Sequence, residues 1–165
     1  QARWRFDDRA AHRMAVLAME QYGLMLCALS RGKLVPAETP RAIRAALRRG
    51  APPVWAARSL VFQDAAGARG IDESWDMTSD SLAAWIAARL KADCLVLVKS
   101  APPPAGRSDL RALARSGLVD RAFPRYAAGG RFAVALVWRE HRAAMARALR
   151  AGAVGPALAQ VQAPR

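Results

Sequence analysis

Thr78, Ser79, Asp80 and Ser81 stand together at the start of an amphipathic run, and Lys99 ends the apolar run that follows it. Those residue types suit phosphate chemistry. The first turn of a helix presents free amides and the positive end of the helix dipole, a natural seat for an anion. Hydroxyls at Thr78, Ser79 and Ser81 add neutral donors, and Lys99 adds a compact positive charge of the kind phosphates attract. A carboxylate in such a place, here Asp80, orients a lysine, a metal or a reacting hydroxyl. The same four residues also read as ordinary helix capping, with a lysine that reaches solvent. Spacing leaves both readings open.

The elements around these residues decide whether they meet. Leu82, Ile86 and Leu90 repeat at four-residue spacing, which predicts a helix capped by Ser79 or Thr78. "CLVLV" and "RFAVALVW" are continuous apolar runs, the pattern of strands buried on both faces of a parallel sheet. Ligands of open parallel sheets collect at the carboxyl ends of the strands, where helix N-termini also point. Lys99 and Ser100 end one such strand, so they belong on the same sheet edge as Thr78 to Ser81.

Elsewhere, Asp7 or Asp8 caps a helix running to about Leu29. Thr39-Pro40 starts a second, with Ile43 and Leu47 inward, Arg44, Arg48 and Arg49 outward, and Gly50 at its end. "PPVWAARSLVF" is strand-like in pieces, and "QDAAGARGIDES" and "APPPAG" are loops. Ser108 opens a short helix to Ser116, "LVDRAFPRYAAGG" mixes turn and helix, "REHRAAMARALR" is an amphipathic helix, and the tail after Gly152 is weakly patterned. Helices alternating with apolar strands predict one α/β domain over 1–165 with a mainly parallel sheet.

The 165 residues, 53% hydrophobic and 24% charged, fit a single globular domain. The formal charge of +13 comes from arginines scattered among alanines, with no tight basic block, so nucleic acid is not the expected partner. Cys27 and Cys94 lie in apolar runs and are expected as buried free thiols. With His12 and His141 the only histidines, no metal-ligand spacing is present. The most apolar stretch is broken by Glu20 and Gln21, so neither a membrane partner nor a signal peptide is expected, and the default location is cytoplasmic.

"TSDSLAAWIAARLKADCLVLVKS" resembles the segment of the amino-acid kinase superfamily in which a helix opening with Thr-x-Asp or Ser-Asp leads to a strand beside the nucleotide site. With "AAHRMAVLAMEQYGLML" and "SWDMTSDSLAAWIA", the chain is similar, from about Asp7 to Trp138, to the small kinases that phosphorylate aminomethylfuran-methyl phosphate in methanofuran biosynthesis. The resemblance implies a three-layer α/β/α sandwich and ATP-dependent phosphoryl transfer, with Mg2+, onto a small phosphomonoester in one-carbon metabolism. It implies that Thr78 and Ser79 hold substrate or transferring phosphate and that Asp80 organises the catalytic centre. Lys99 and Ser100 would lie by the ATP phosphates. The helix carrying His12, Met14, Met19 and Tyr22 would line the acceptor pocket or a subunit contact, although its nearly all-round apolar character also suits plain packing.

Two features depart from that family. The phosphate-cradling Lys-x-Gly-Gly-Ser strand and the second glycine-rich turn are not in this sequence, and "KSAPPPAG" stands where Asp-Val-Asp-Gly is usual. The first suggests an N-terminally incomplete or naturally shortened relative, with an uncovered sheet edge that favours a homo-oligomer. The second removes carboxylates expected near the nucleotide. The alternative to an enzyme is therefore a non-catalytic binding or assembly module on a kinase-like fold.

Overall fold

The computed structural model describes residues 3–64, 70–104, 108–151 and 159–162. Its contacts divide the chain into two compact units, Gln1–Trp75 and Asp76–Arg165.

The first unit opens with α1 (Asp8–Leu29), started by Asp7, whose side chain accepts the Ala10 amide. Strand β1 (Val35–Ala37), helix α2 (Pro40–Arg48) and strand β2 (Pro53–Trp55) form a crossover unit in which the strands pair in parallel. Thr39 caps α2 by accepting the Ala42 amide, with proline at the first helical position where its missing N–H costs nothing. Ile43 faces inward as expected, but its inward companion is Ala46, and Leu47 is exposed. A three-residue step keeps the buried stripe narrow enough for one small sheet. The run "RSLVFQD", expected partly as strand, forms helix α3 (Arg58–Asp64). Val61 is its one fully buried residue, and α1 meets it through Glu20, which accepts the Arg58 amide and guanidinium, and through Arg13, which lies over the Phe62 ring.

The second unit carries α4 (Ser79–Leu90), β3 (Cys94–Lys99), β4 (Ser108–Asp109), α5 (Leu110–Arg115), α6 (Phe123–Ala128), β5 (Ala133–Trp138), a 3-10 turn at Arg139–His141, α7 (Arg142–Arg150) and β6 (Ala159–Gln162). The sheet order is β3-β5-β6-β4. β3 and β5 run parallel from Cys94 opposite Ala133 to Lys99 opposite Trp138, whereas β5 and β6 are antiparallel. The sheet is thus mixed, and the tail that lacked a pattern contributes a strand. Ser108 belongs to β4, and Asp109 instead caps α5 through the Ala112 amide.

β5 behaves as the apolar run predicts, with Val134 to Val137 all buried. Alternate residues serve its two faces. Val134 and Leu136 pack with Leu97, Ala84, Leu110, Leu113 and Phe123, the core shared with α4, α5 and α6. Ala135 and Val137 pack with Met145 of α7 on the other face. β3 differs from the expectation because it is an edge strand, paired with β5 alone among the described residues. Of its residues only Leu97 is buried, and Val98 is 53% exposed.

Candidate functional site

Helix α4 begins where the hydroxyl-rich stretch predicts, with Thr78 at the N-cap. The capping itself is not local. Thr78 makes no side-chain cap to its own helix. Asp120, 42 positions after Thr78 in the α5–α6 loop, supplies the cap instead: its Oδ2 accepts the amides of Thr78 (2.9 Å) and Ser81 (3.0 Å) and the Thr78 hydroxyl (2.9 Å). The Ser81 hydroxyl donates to its Oδ1. A carboxylate has lone pairs for four such bonds, and the helix dipole favours its charge there. The expected seat for an anion at this turn is therefore filled by the chain's own carboxylate.

Asp80 and Lys99 meet. Lys99 Nζ donates to both Asp80 oxygens, at 3.0 and 2.8 Å, and Asp80 Oδ2 also accepts the Asp120 amide at 3.2 Å. The two side chains are only 16% and 14% exposed, so water screens this pair much less than a surface bridge. The left-handed turn at Lys91 reverses the chain after α4, and the β3 register then carries Lys99 back to the N-terminal end of that helix. Ser81 is fully buried beneath the network, while Ser79 points its residue to solvent.

The structure thus brings Thr78, Asp80, Ser81 and Lys99 into one connected network, with Ser79 on its exposed rim. Ser100 follows Lys99 and is exposed. His12 and Tyr22 lie on α1 in the other unit: His12 is buried and Tyr22 is 62% exposed. Asp120 went unread in the sequence because its partners are about forty residues away and nothing local marks a long-range cap. The only signal available was that it is an isolated acid between the apolar "LV" and an arginine, in a chain with half as many acids as bases.

Among the described residues no three His, Cys, Asp or Glu side chains are grouped to hold a metal ion. Asp80 and Asp120 are the carboxylates nearest the network, and both are saturated by lysine, amide and hydroxyl donors. This donor set does not fit a Mg2+ held by the protein. Cys27 and Cys94 are free thiols and half-buried; burial, with the charge of Asp93 beside it, pushes the Cys94 thiol up, away from the reactive thiolate. No described helix is long and apolar enough to cross a membrane. No protein-family model matches the chain, and no curated protein matches it.

Proposed function

We propose that the chain is a phosphotransferase domain of the amino-acid kinase type, moving a phosphoryl group from ATP to a small phosphomonoester. The observation that carries this reading is the Asp80–Lys99 pair, largely withdrawn from water at the carboxyl end of β3 and beside the start of α4. Phosphoryl transfer asks a protein mainly for positioning and charge neutralisation. In the proposed reaction an oxygen of the acceptor phosphate bonds to the γ-phosphorus, the bond from that phosphorus to the bridging oxygen breaks, and ADP leaves. Lys99 supplies positive charge to the phosphate oxygens, Asp80 holds its ammonium in place, and the exposed Ser79 and Ser100 line the phosphate-facing rim, with Thr78 behind them held by Asp120. Mg2+ enters only as the companion of the nucleotide, and no step depends on a protein-held ion.

The resemblance also motivates a three-layer α/β/α arrangement, which helices on both faces of β5 support locally. It motivates a cytoplasmic role in methanofuran-linked one-carbon metabolism. A homo-oligomer fits the exposed Tyr22, Leu24 and Leu29 of α1.

A specific observation favours a second reading. Asp120 already fills the α4 N-terminus, and every charge of the network is answered from within the chain. The network then serves as a clamp that ties the α5–α6 loop to α4 in a non-catalytic module. Phosphorus NMR of the full chain with MgATP and a panel of phosphomonoesters separates the two. The enzyme reading expects transfer that Asp80→Asn and Lys99→Met each reduce by about 100-fold or more with the fold retained. Absence of transfer from wild type across the panel, or wild-type turnover in Asp80→Asn, leaves the clamp alone.

A further inference from the structure

The second unit contains a cleft of about 680 Å3 between α5 and α6, within the roughly 300–1,000 Å3 usual for small-ligand sites. Four arginines wall it: Arg111 and Arg115 from α5, Arg121 from the connecting loop and Arg125 from α6. Ala114, Pro124 and Ala128 form its apolar remainder. The sequence disguised this convergence. Arg111 and Arg115 are four apart, as are Arg121 and Arg125, and each pair alone looks like part of a scattered background. The helical spacing puts Arg111 and Arg115 on one face, and the loop folds the second pair opposite the first.

Like charges so placed repel, and the contacts around them relieve this only in part: Arg125 lies over the Tyr126 ring at 5.5 Å. Arg121 reaches Asp76 only at 3.6 Å, with both side chains well exposed, and Asp109 at the start of α5 is committed to capping the Ala112 amide. Asp120, next to Arg121, is committed to Thr78 and Ser81. A guanidinium stays charged at any pH the protein meets, and its planar fork matches phosphate oxygens two at a time. The small floor residues leave the forks room to converge on a ligand with several phosphates.

We propose that the α5–α6 cleft is a binding site for a small polyphosphate anion, a ligand with two or more linked phosphate groups. This goes beyond the phosphoryl-transfer reading and does not depend on it, since none of the four arginines belongs to the Asp80–Lys99 network. Free inorganic polyphosphate and the phosphate chain of a nucleotide share the chemistry the cleft recognises. Nucleic acid is disfavoured, because stacking on aromatic side chains is the usual companion of strand binding and none lines the cleft.

Calorimetric titration of the full chain with tripolyphosphate, orthophosphate, ATP and a single-stranded RNA oligomer tests it. Tripolyphosphate should bind at least about tenfold more tightly than orthophosphate, through charge-assisted forks that a single phosphate cannot fill. Arg115→Gln with Arg125→Gln should weaken tripolyphosphate by about tenfold or more, whereas Arg41→Gln with Arg48→Gln on α2, an equal change of charge, should alter it less than about twofold. Arg115→Lys with Arg125→Lys should fall between, since it keeps charge and loses the fork. ATP equal to tripolyphosphate assigns the inorganic chain as all that is read; ATP at least tenfold tighter, with that gain lost in the Arg115→Gln, Arg125→Gln variant, assigns a nucleotide source, and both support the site. A second tripolyphosphate site at Lys99 should be lost in Lys99→Met and kept in the Arg115→Gln, Arg125→Gln variant, which keeps the two sites apart in the titration. Equal losses in the cleft and α2 variants, or RNA bound more tightly than tripolyphosphate, would each overturn the proposal.

Discussion

Asp120 does at α4 what the hydroxyls of Thr78 and Ser81 are chemically able to do but do not. A full negative charge meets the positive end of the helix, and the hydroxyls become donors to it. Asp120→Asn keeps the shape but leaves one acceptor oxygen and places an amide N–H2 against donors. It should lower stability by about 2–4 kcal/mol, measured by urea unfolding, because half-buried donors lose their partners. A loss below about 0.5 kcal/mol would mean the four bonds are replaced by water. Glu73 is the comparable acid of the first unit, 10% exposed and bridged by Arg9 and Arg13. Burial by itself would raise its carboxyl, but the hydrogen bonds and charges of Arg13 and Arg9 outweigh that and hold it below its usual value. A folded value lowered in this way contributes stability that is complete above the unfolded value of about 4.3 and is lost as pH falls through the folded one. Glu73→Gln should therefore cost about 1 kcal/mol at pH 7, limited by the exposure of the arginines, with wild type and variant converging in melts taken below the folded value.

Elements whose signals are local were legible before any fold was known. Asp7 and Thr39 cap the helices that their positions announce, and Cys94–Lys99 and Ala133–Trp138 are parallel partners as their apolar runs suggest. What failed was decided elsewhere in the chain. "RSLVFQD" has β-branched and aromatic character yet is helical, its first amide, Arg58, accepted by Glu20 of α1 and its Phe62 ring under Arg13 of α1. Ser108 lost its capping role to Asp109 because β4 pairs with β6, a strand with no pattern of its own. Within the site, Asp80 and Lys99 were readable from spacing, and Asp120 was not. A glycine pair between α6 and β5 offers an internal comparison. A Cβ at Gly130 would run into the ring of Phe132, which is 5% exposed in the core, whereas one at Gly129 would find the Tyr126 carbonyl oxygen at an ordinary 3.5 Å. Gly130→Ala should cost about 1–3 kcal/mol as the ring or the strand start shifts, with Gly129→Ala within about 0.5 kcal/mol of wild type. Equal melting temperatures for the two variants would show that Phe132 repacks freely.

Across the whole molecule the dominant electrostatic fact is an excess of thirteen positive charges in 165 residues. Ion pairs among the described residues are partly wet: Arg9 is 64% and Arg58 49% exposed at their bridges to Glu73 and Glu20. Such bridges contribute little and weaken in salt, while the repulsion among the remaining arginines also weakens in salt and involves many more groups. Repulsion should win, so the melting temperature should rise as sodium chloride goes from about 20 to about 300 mM, where the Debye length shrinks below the spacing of neighbouring surface charges. The α5–α6 cleft concentrates that repulsion in four side chains. Arg111→Gln with Arg125→Gln removes two of them at exposed positions, at the cost of the Arg125 contact with the Tyr126 ring. The variant should therefore melt higher than wild type at low salt and show a flatter salt dependence, the two curves meeting near about 300 mM. A melting temperature that falls with chloride would mean that the sparse ion pairs outweigh the surplus of arginine. A double variant that melts below wild type at every salt concentration would mean that the cleft arginines stabilise the fold through their aliphatic stems rather than strain it through their charge.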